Sequence, residues 1–263
     1  MIDGRGGGDD GRDDNHGRDD NHGRDAHDDN DADGDSDGNR GDDRTGTASD
    51  RAQSGDWLGT RPEGWPVPLR GVTESVVTTR GPNDRWNVAA LGLHAPETPT
   101  GPVTARTYGR TRTWRNFTER GRGVVQFTTD PRTFVDAALT VREADDPVLD
   151  AADAWVEVRV EAVARETDGD TVVRTWALDP VESAVRAERV PTVNRGFGAV
   201  VDATVAASRL DVPAFDTEAI FDRLRYFADV VERCGGPAER EAFARIDAVT
   251  GWRERAAGDD EPE

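Results

Sequence analysis

The sequence predicts an α+β fold in which a strand-rich segment precedes a helical one, and three observations carry that prediction. Up to about residue 190, apolar residues recur in Val- and Thr-rich runs with the two-residue period of strands, separated by Gly and Pro clusters. Beyond Pro191 the spacing lengthens to the three-and-four rhythm of amphipathic helices. Residues 1–56 follow neither pattern: they hold 18 acidic residues and 7 Arg, and Ile2 is their sole member of the Val, Ile, Leu and Phe set. Such a segment buries too little apolar surface to offset its ordering entropy, and reads as a disordered acidic tail. The expected division is a tail over 1–56, a strand-rich domain over 57–190, a helical subdomain over 191–256 and a short acidic tail over 257–263.

Val72 to Thr79 and Trp86 to His94 read as a hairpin around the turn Gly81-Pro82-Asn83-Asp84. Pro102 to Tyr108 is a third strand, and Gly109 leads from it into a helix capped by Thr111 or Thr113. After the apolar strand Val124 to Thr129, Asp130-Pro131 supplies an N-cap and a first-turn proline for a helix through Leu139, with Phe134, Ala137 and Ala138 facing inward. Ala154 to Ala164 places Val156, Val158 and Val160 on one face before Asp168-Gly169 turns the chain into Thr171 to Leu178. In the helical part, Ala199, Val200, Ala203 and Ala206 or Ala207 form a stripe toward Leu210. A second helix, capped near Asp216, aligns Ile220, Leu224, Phe227, Ala228 and Val231. Cys234-Gly235-Gly236-Pro237 ends it and begins the other arm of a helical hairpin, bearing Phe243, Ile246 and Val249; Cys234 therefore reads as structural.

The charge balance narrows the partners. Against 53 acidic residues stand 33 basic ones, every one an Arg, for a net charge of -20, which argues against nucleic acid. Absence of Lys with Asp in excess of Glu points to a halophilic protein whose acidic surface keeps it hydrated. At about 1 M salt the Debye length falls to roughly 3 Å, so an anion must be held by direct contact. A single Cys excludes an intrachain disulfide framework and a multi-cysteine metal site. No run approaches the roughly eighteen apolar residues of a membrane span, and a cytoplasmic location without membrane association is expected. The tail repeats Gly11-Arg12-Asp13-Asp14-Asn15-His16 as Gly17 to His22 and decays through His27; its three His form too loose a ligand set for a metal site.

One segment reverses the balance. Between Thr98 and Thr129 stand Arg106, Arg110, Arg112, Arg115, Arg120 and Arg122 against Glu119 alone, a local charge of +5. Two explanations compete: a bound anion, or guanidiniums that neutralise acids on neighbouring strands. In the first, the hydroxyls and free amides at the start of the helix after Gly109 join an Arg pair around a phosphate. Phosphate loops of the GxxxxGK type, GxSxG, HExxH and CxxC are all missing, so no catalytic residue is assigned. His94, the single His outside the tail, reads as a surface or hydrogen-bonded residue rather than a general base.

Several motifs carry a resemblance. Glu74-Ser75-Val76-Val77-Thr78-Thr79, Asn87-Val88-Ala89-Ala90-Leu91-Gly92, Thr111-Arg112-Thr113-Trp114-Arg115-Asn116-Phe117 and Asp130-Pro131-Arg132-Thr133-Phe134 occur in that order, followed by Asn194 to Val200 and Ala207-Ser208-Arg209-Leu210. Together, over about residues 70–250, they resemble an archaeal family of uncharacterised FMN-binding proteins with the flavin-reductase-like split β-barrel. The resemblance implies FMN as cofactor, with Arg106, Thr111, Arg112 and Thr113 at its phosphate. It further implies Asn87, Ala89, Ala90 and Gly92 beside its ring, where small side chains let the strand backbone approach. Asn116 joins the candidate set, either toward the ligand or bonded to helix backbone; Trp114 is core or a stacking platform, and Arg195 a ligand contact or a helix cap. Two departures stand out: Thr111 replaces the Ser of the family pattern and keeps its hydroxyl, and Leu91 replaces a Pro after the two Ala, which bears on the strand's path. The resemblance also implies a homodimer, a nicotinamide electron donor and a flavin-dependent oxidoreductase of unassigned substrate. Its alternatives are a non-catalytic FMN carrier, or a barrel of the same shape binding deazaflavin or haem.

Overall fold

The computed structural model describes residues 59–258, except 60 and 99. The expected tail over 1–56, with its repeats and histidines, and residues 259–263 lie outside the described residues.

Strands β1 (Val72–Arg80) and β2 (Trp86–His94) form the expected hairpin, in unbroken register from Val72↔His94 to Arg80↔Trp86. Its turn places Asp84 in the left-handed region at φ 61, a conformation Asp tolerates better than most residues. Strand β3 (Val103–Tyr108) pairs with β2, and helix α1 (Arg112–Arg120) leads to β4 (Arg122–Phe127), which lies beside β1. Helix α2 (Pro131–Leu139) and the short β5 (Arg142–Ala144) come before the long hairpin β6 (Ala154–Asp168) and β7 (Thr171–Val185). The strand order β1-β4-β6-β7-β3-β2 returns to β1, so six antiparallel strands close a barrel, with β5 added outside on β2.

Inward positions fill that barrel. Val77, Leu91, Leu93, Val125, Val156 and Trp176 form one buried cluster, and Phe117 of α1 enters it edge-on to Trp176 at 5.4 Å between ring centroids. Gly123 makes room for that ring: a Cβ there would lie 2.9 Å from Phe117 Cε1. Trp176 Nε1–H donates to Thr107 Oγ1 at 2.9 Å, which satisfies the indole inside the core. With Leu91 in place of Pro, β2 keeps an unbroken register with β1; Leu91 is buried and its carbonyl accepts from Ser75 Oγ at 2.6 Å.

Helices α3 (Arg195–Ala207), α4 (Thr217–Cys234), α5 (Pro237–Thr250) and α6 (Trp252–Gly258) build a second cluster around Val200, Ala203, Phe221, Leu224 and Ile246. Val135 of α2 belongs to this cluster, while Phe134 and Ala137 on the same helix pack on the barrel's outer face at Val76 and Val88. Helix α2 therefore joins the two halves. Asp130, Asn194 and Asp216 cap α2, α3 and α4 with side-chain oxygens, so Asn194 rather than Arg195 caps α3. The entry of α3 fits against the α4–α5 turn because both sides are glycine: a Cβ on Gly196 would sit 2.5 Å from Gly235 Cα.

Three expectations differ from the structure. The β6–β7 hairpin is longer than the apolar alternation suggests, because the last eight residues of β6 are exposed on both faces and carry no core pattern. The strand expected over Thr171 to Leu178 runs on through Asp179-Pro180 to Val185, and Pro180 is accommodated beside the register shift at Glu157/Val158. Helix α6 was not expected, and it extends through Gly258 into the stretch assigned to the C-terminal tail.

Candidate functional site

Strand alternation assigns Glu74 and Val76 of β1, Ala90 and Gly92 of β2, and Arg106 and Tyr108 of β3 to the outside of the barrel, opposite the residues of the inner core. Helices α2 and α3 cover this face but do not meet it everywhere. Where β2 offers only Ala90 and Gly92, a groove of about 470 Å³ remains, walled by Phe134, Ala137 and Ala138 of α2, Thr204 and Val205 of α3, and its C-cap Ser208. Its end is the start of α1, with Thr111 and Thr113.

That end is polar. Thr111 is the N-cap of α1, its Oγ1 accepting from Trp114 N–H at 3.1 Å, and this leaves the amides of Arg112 and Thr113 without an intrahelical acceptor. Thr113 is buried and accepts a long 3.5 Å hydrogen bond from Asn87 Nδ2. Gly109, at φ 68, makes the turn that brings Arg106 and this helix start to one place. The Arg106 side chain has no ion pair or hydrogen bond among the described residues, its backbone pairing with β7. Burial, followed by the nearby Arg106 charge, holds the His94 imidazole below its ordinary value and so favours its neutral form. Partial burial raises the Glu74 carboxyl above its ordinary value, although the residue is exposed to solvent.

Six of the nine sequence candidates line this groove: Ala89, Ala90, Gly92, Arg106, Thr111 and Thr113. Asn87 lies behind Thr113. The Arg112 guanidinium turns away to Glu143 of β5 at 3.1 Å, a carboxylate that Asn83 and Arg85 also approach. Asn116 points into the wall between α1 and β1, where its Nδ2 donates to Thr79 Oγ1 at 3.0 Å rather than to helix backbone; its Oδ1 is buried without a partner. Trp114 is half-buried, with Arg174 and Arg110 over its ring at 5.2 and 5.9 Å. Part of the charge reversal is thus neutralised across strands, Arg112 and Arg122 pairing with Glu143 and Glu157, while Arg106 lines the groove without an acidic partner among the described residues.

Glu74, Tyr108, Phe134 and Ser208 also line the groove, though none was among the site candidates. The hairpin register held the signal for Glu74, since it sets that carboxylate opposite Gly92. Among the described residues no group of three or more His, Cys, Asp or Glu is placed to hold a metal ion, and no helix is long and apolar enough to cross a membrane.

Comparison with known proteins bears on this arrangement. An FMN-bound protein of Methanosarcina mazei, of a family designated DUF447, superposes with a TM-score of 0.59 at 22% identity, over 74% of this chain and 98% of that one. It shares the fold, the flavin-reductase-like split barrel. Weaker likenesses include the styrene monooxygenase flavin reductase of Pseudomonas putida S12 (TM-score 0.33, 15% identity, 46% of this chain and 93% of that one). Another is an FMN-binding protein of Thermus thermophilus with bound p-hydroxybenzaldehyde (TM-score 0.33, 18% identity, 49% and 81%). Residues 73–187 match the N-terminal domain, and residues 194–248 the C-terminal part, of a protein family of unknown function. With both parts present in order and together spanning more than half of the sequence, the chain belongs to that family, DUF447.

Proposed function

We propose that the protein binds FMN in the groove between the barrel's outer face and helices α2 and α3, and acts as a flavin-dependent oxidoreductase. The observation that carries this reading is the pairing of an unpartnered Arg106 with the open amides and hydroxyls at the start of α1, at one end of a groove whose floor is stripped to Ala90 and Gly92. A phosphate suits the first feature and a flat ring the second. The FMN-bound relative in the same family supports the choice of ligand.

In this reading Arg106, Thr111 and Thr113 hold the phosphate together with the amides of Arg112 and Thr113. Asn87 fixes the Thr113 hydroxyl from behind, and Asn116 acts at one remove by seating α1 on β1. Arg112 contributes its amide rather than its guanidinium, which Glu143 already engages. The backbone of Ala89 to Gly92 supports the ring. When bound, FMN supplies the hydride and electron chemistry, and the chain's residues bind, orient and shield it. We assign a nicotinamide as electron donor, a homodimer as the working unit, and a salt-rich cytoplasm as the setting for so acidic a chain.

Absorption of the full chain isolated in molar salt tests the binding, and addition of NADH or NADPH tests the reaction. Flavin bands that bleach and then recover with an acceptor support an oxidoreductase. Bands that persist unchanged identify an FMN carrier, and a colourless protein that takes up no added FMN rejects the proposal.

A further inference from the structure

Beside the proposed flavin groove lies a second chamber of about 380 Å³, and Glu74 and Phe134 line both. Its remaining walls come from Ser75 of β1, Thr128 after β4, and Phe197, Gly198, Val201 and Asp202 on the first two turns of α3. The two spaces differ in charge. Arg106 and the positive start of α1 serve the first, whereas no basic side chain lines the second and two carboxylates do.

Those carboxylates are unusual in their surroundings. On nearby elements Asp130, Asp136, Glu143, Asp153 and Glu241 each engage an Arg. The side chains of Glu74 and Asp202 have no ion pair or hydrogen bond among the described residues, and both residues are exposed. Two carboxylates without a counter-charge on one wall attract a cation. The same chamber presents Phe134, which is buried, and the half-buried Phe197, whose ring faces attract a cation and accept an apolar body. Two carboxylates with two phenyl rings are a poor donor set for a metal ion. In concentrated salt, where free inorganic cations screen bare charges, an apolar body adds the selectivity that charge alone loses.

We infer that this chamber binds an organic cation with an apolar body, an amine or quaternary ammonium compound, as the second ligand beside the flavin. The inference rests on the flavin reading for the word beside; the chamber itself does not.

Benzyltrimethylammonium is a suitable probe, with benzyl alcohol and benzoate as neutral and anionic controls, titrated calorimetrically into the full chain with and without FMN in molar KCl. The cation is expected to bind more tightly than either control. Asp202→Asn is expected to weaken it roughly tenfold or more, as loss of a charged contact does. Gly198→Leu is expected to abolish it, because a Cβ on Gly198 meets nothing within 4 Å and the longer side chain grows into open space. FMN affinity should be unchanged in both variants. Binding no tighter than that of benzyl alcohol, or insensitive to both substitutions, would overturn the inference. FMN uptake without cation binding defeats this inference alone; cation binding without FMN uptake defeats the flavin reading and leaves the chamber standing.

Discussion

The inside and the outside of the barrel are made by the same strands and filled in opposite ways. Inside, Trp176, Phe117, Leu93 and Val125 are at most 2% exposed and leave no room for a ligand. Outside, β2 presents Ala90 and Gly92 toward α2 and α3, and the missing side-chain volume becomes the groove. In the proposed reading the closed barrel of six strands is therefore not the container. The interior supplies stability, and the proposed ligand space comes from subtraction on the outer face, bounded by helices placed by their caps and by one glycine contact.

Substitutions that exchange these roles should give graded effects. The largest belongs to the interior: Trp176→Ala should cost about 3–5 kcal/mol in denaturant unfolding at constant salt, through a cavity and an orphaned Thr107 hydroxyl. A loss under about 1 kcal/mol would mean that the interior is looser than its burial indicates. Next comes the groove, where Arg106→Ala should weaken FMN by about 1.5–3 kcal/mol in fluorescence titrations while leaving stability and riboflavin affinity nearly unchanged. Arg112→Ala should have the smaller effect of the two, given its pairing with Glu143. The reverse order would move the phosphate site to the other side of α1.

Placement of the helical wall is the third level. Gly196→Ala forces a Cβ to within 2.5 Å of Gly235 Cα, and the required backbone shift should cost about 1–3 kcal/mol of stability and loosen flavin binding through displacement of α3. The smallest effect is at the cap of α2. Burial alone would raise the Asp130 carboxyl, but hydrogen bonds from the Arg132 side chain and amide and from Thr133 outweigh it, so the folded value lies below the ordinary 3.8. The folded state then binds this proton more weakly than the unfolded state does. Its contribution is fully present above pH 3.8 and is lost as pH falls through the lowered folded value. Asp130→Ala should cost about 1 kcal/mol at neutral pH, with the difference from the parent shrinking in acid melts.

Much of this was legible in the residues themselves. The hairpin around Gly81 to Asp84, the caps Asp130 and Asp216 and the stop at Cys234 to Pro237 all use local chemistry that a sequence displays. The exposed half of β6–β7 was not legible, since a strand that buries neither face has no apolar rhythm, and its pairing partner alone holds it extended. In the candidate site, the family resemblance pointed to Arg106, Thr111 and the two alanines, and these line the groove. Residue type could not separate Arg106 from Arg112, because the carboxylate that claims Arg112 sits 31 residues later on β5. Asn116 shows the same limit: its partner Thr79 lies 37 residues earlier, on the far side of a helix–strand contact. Glu74 was read as part of a motif and not as a wall, since only the register across the turn sets it opposite Gly92.

The phosphate end of the groove is the feature on which the account depends, and paired titrations of the full chain in molar KCl with FMN and with riboflavin address it directly. FMN should bind at least roughly tenfold more tightly than riboflavin, with Arg106→Ala removing most of that margin. Equal affinity for the two flavins, or a margin untouched by Arg106→Ala, would contradict it.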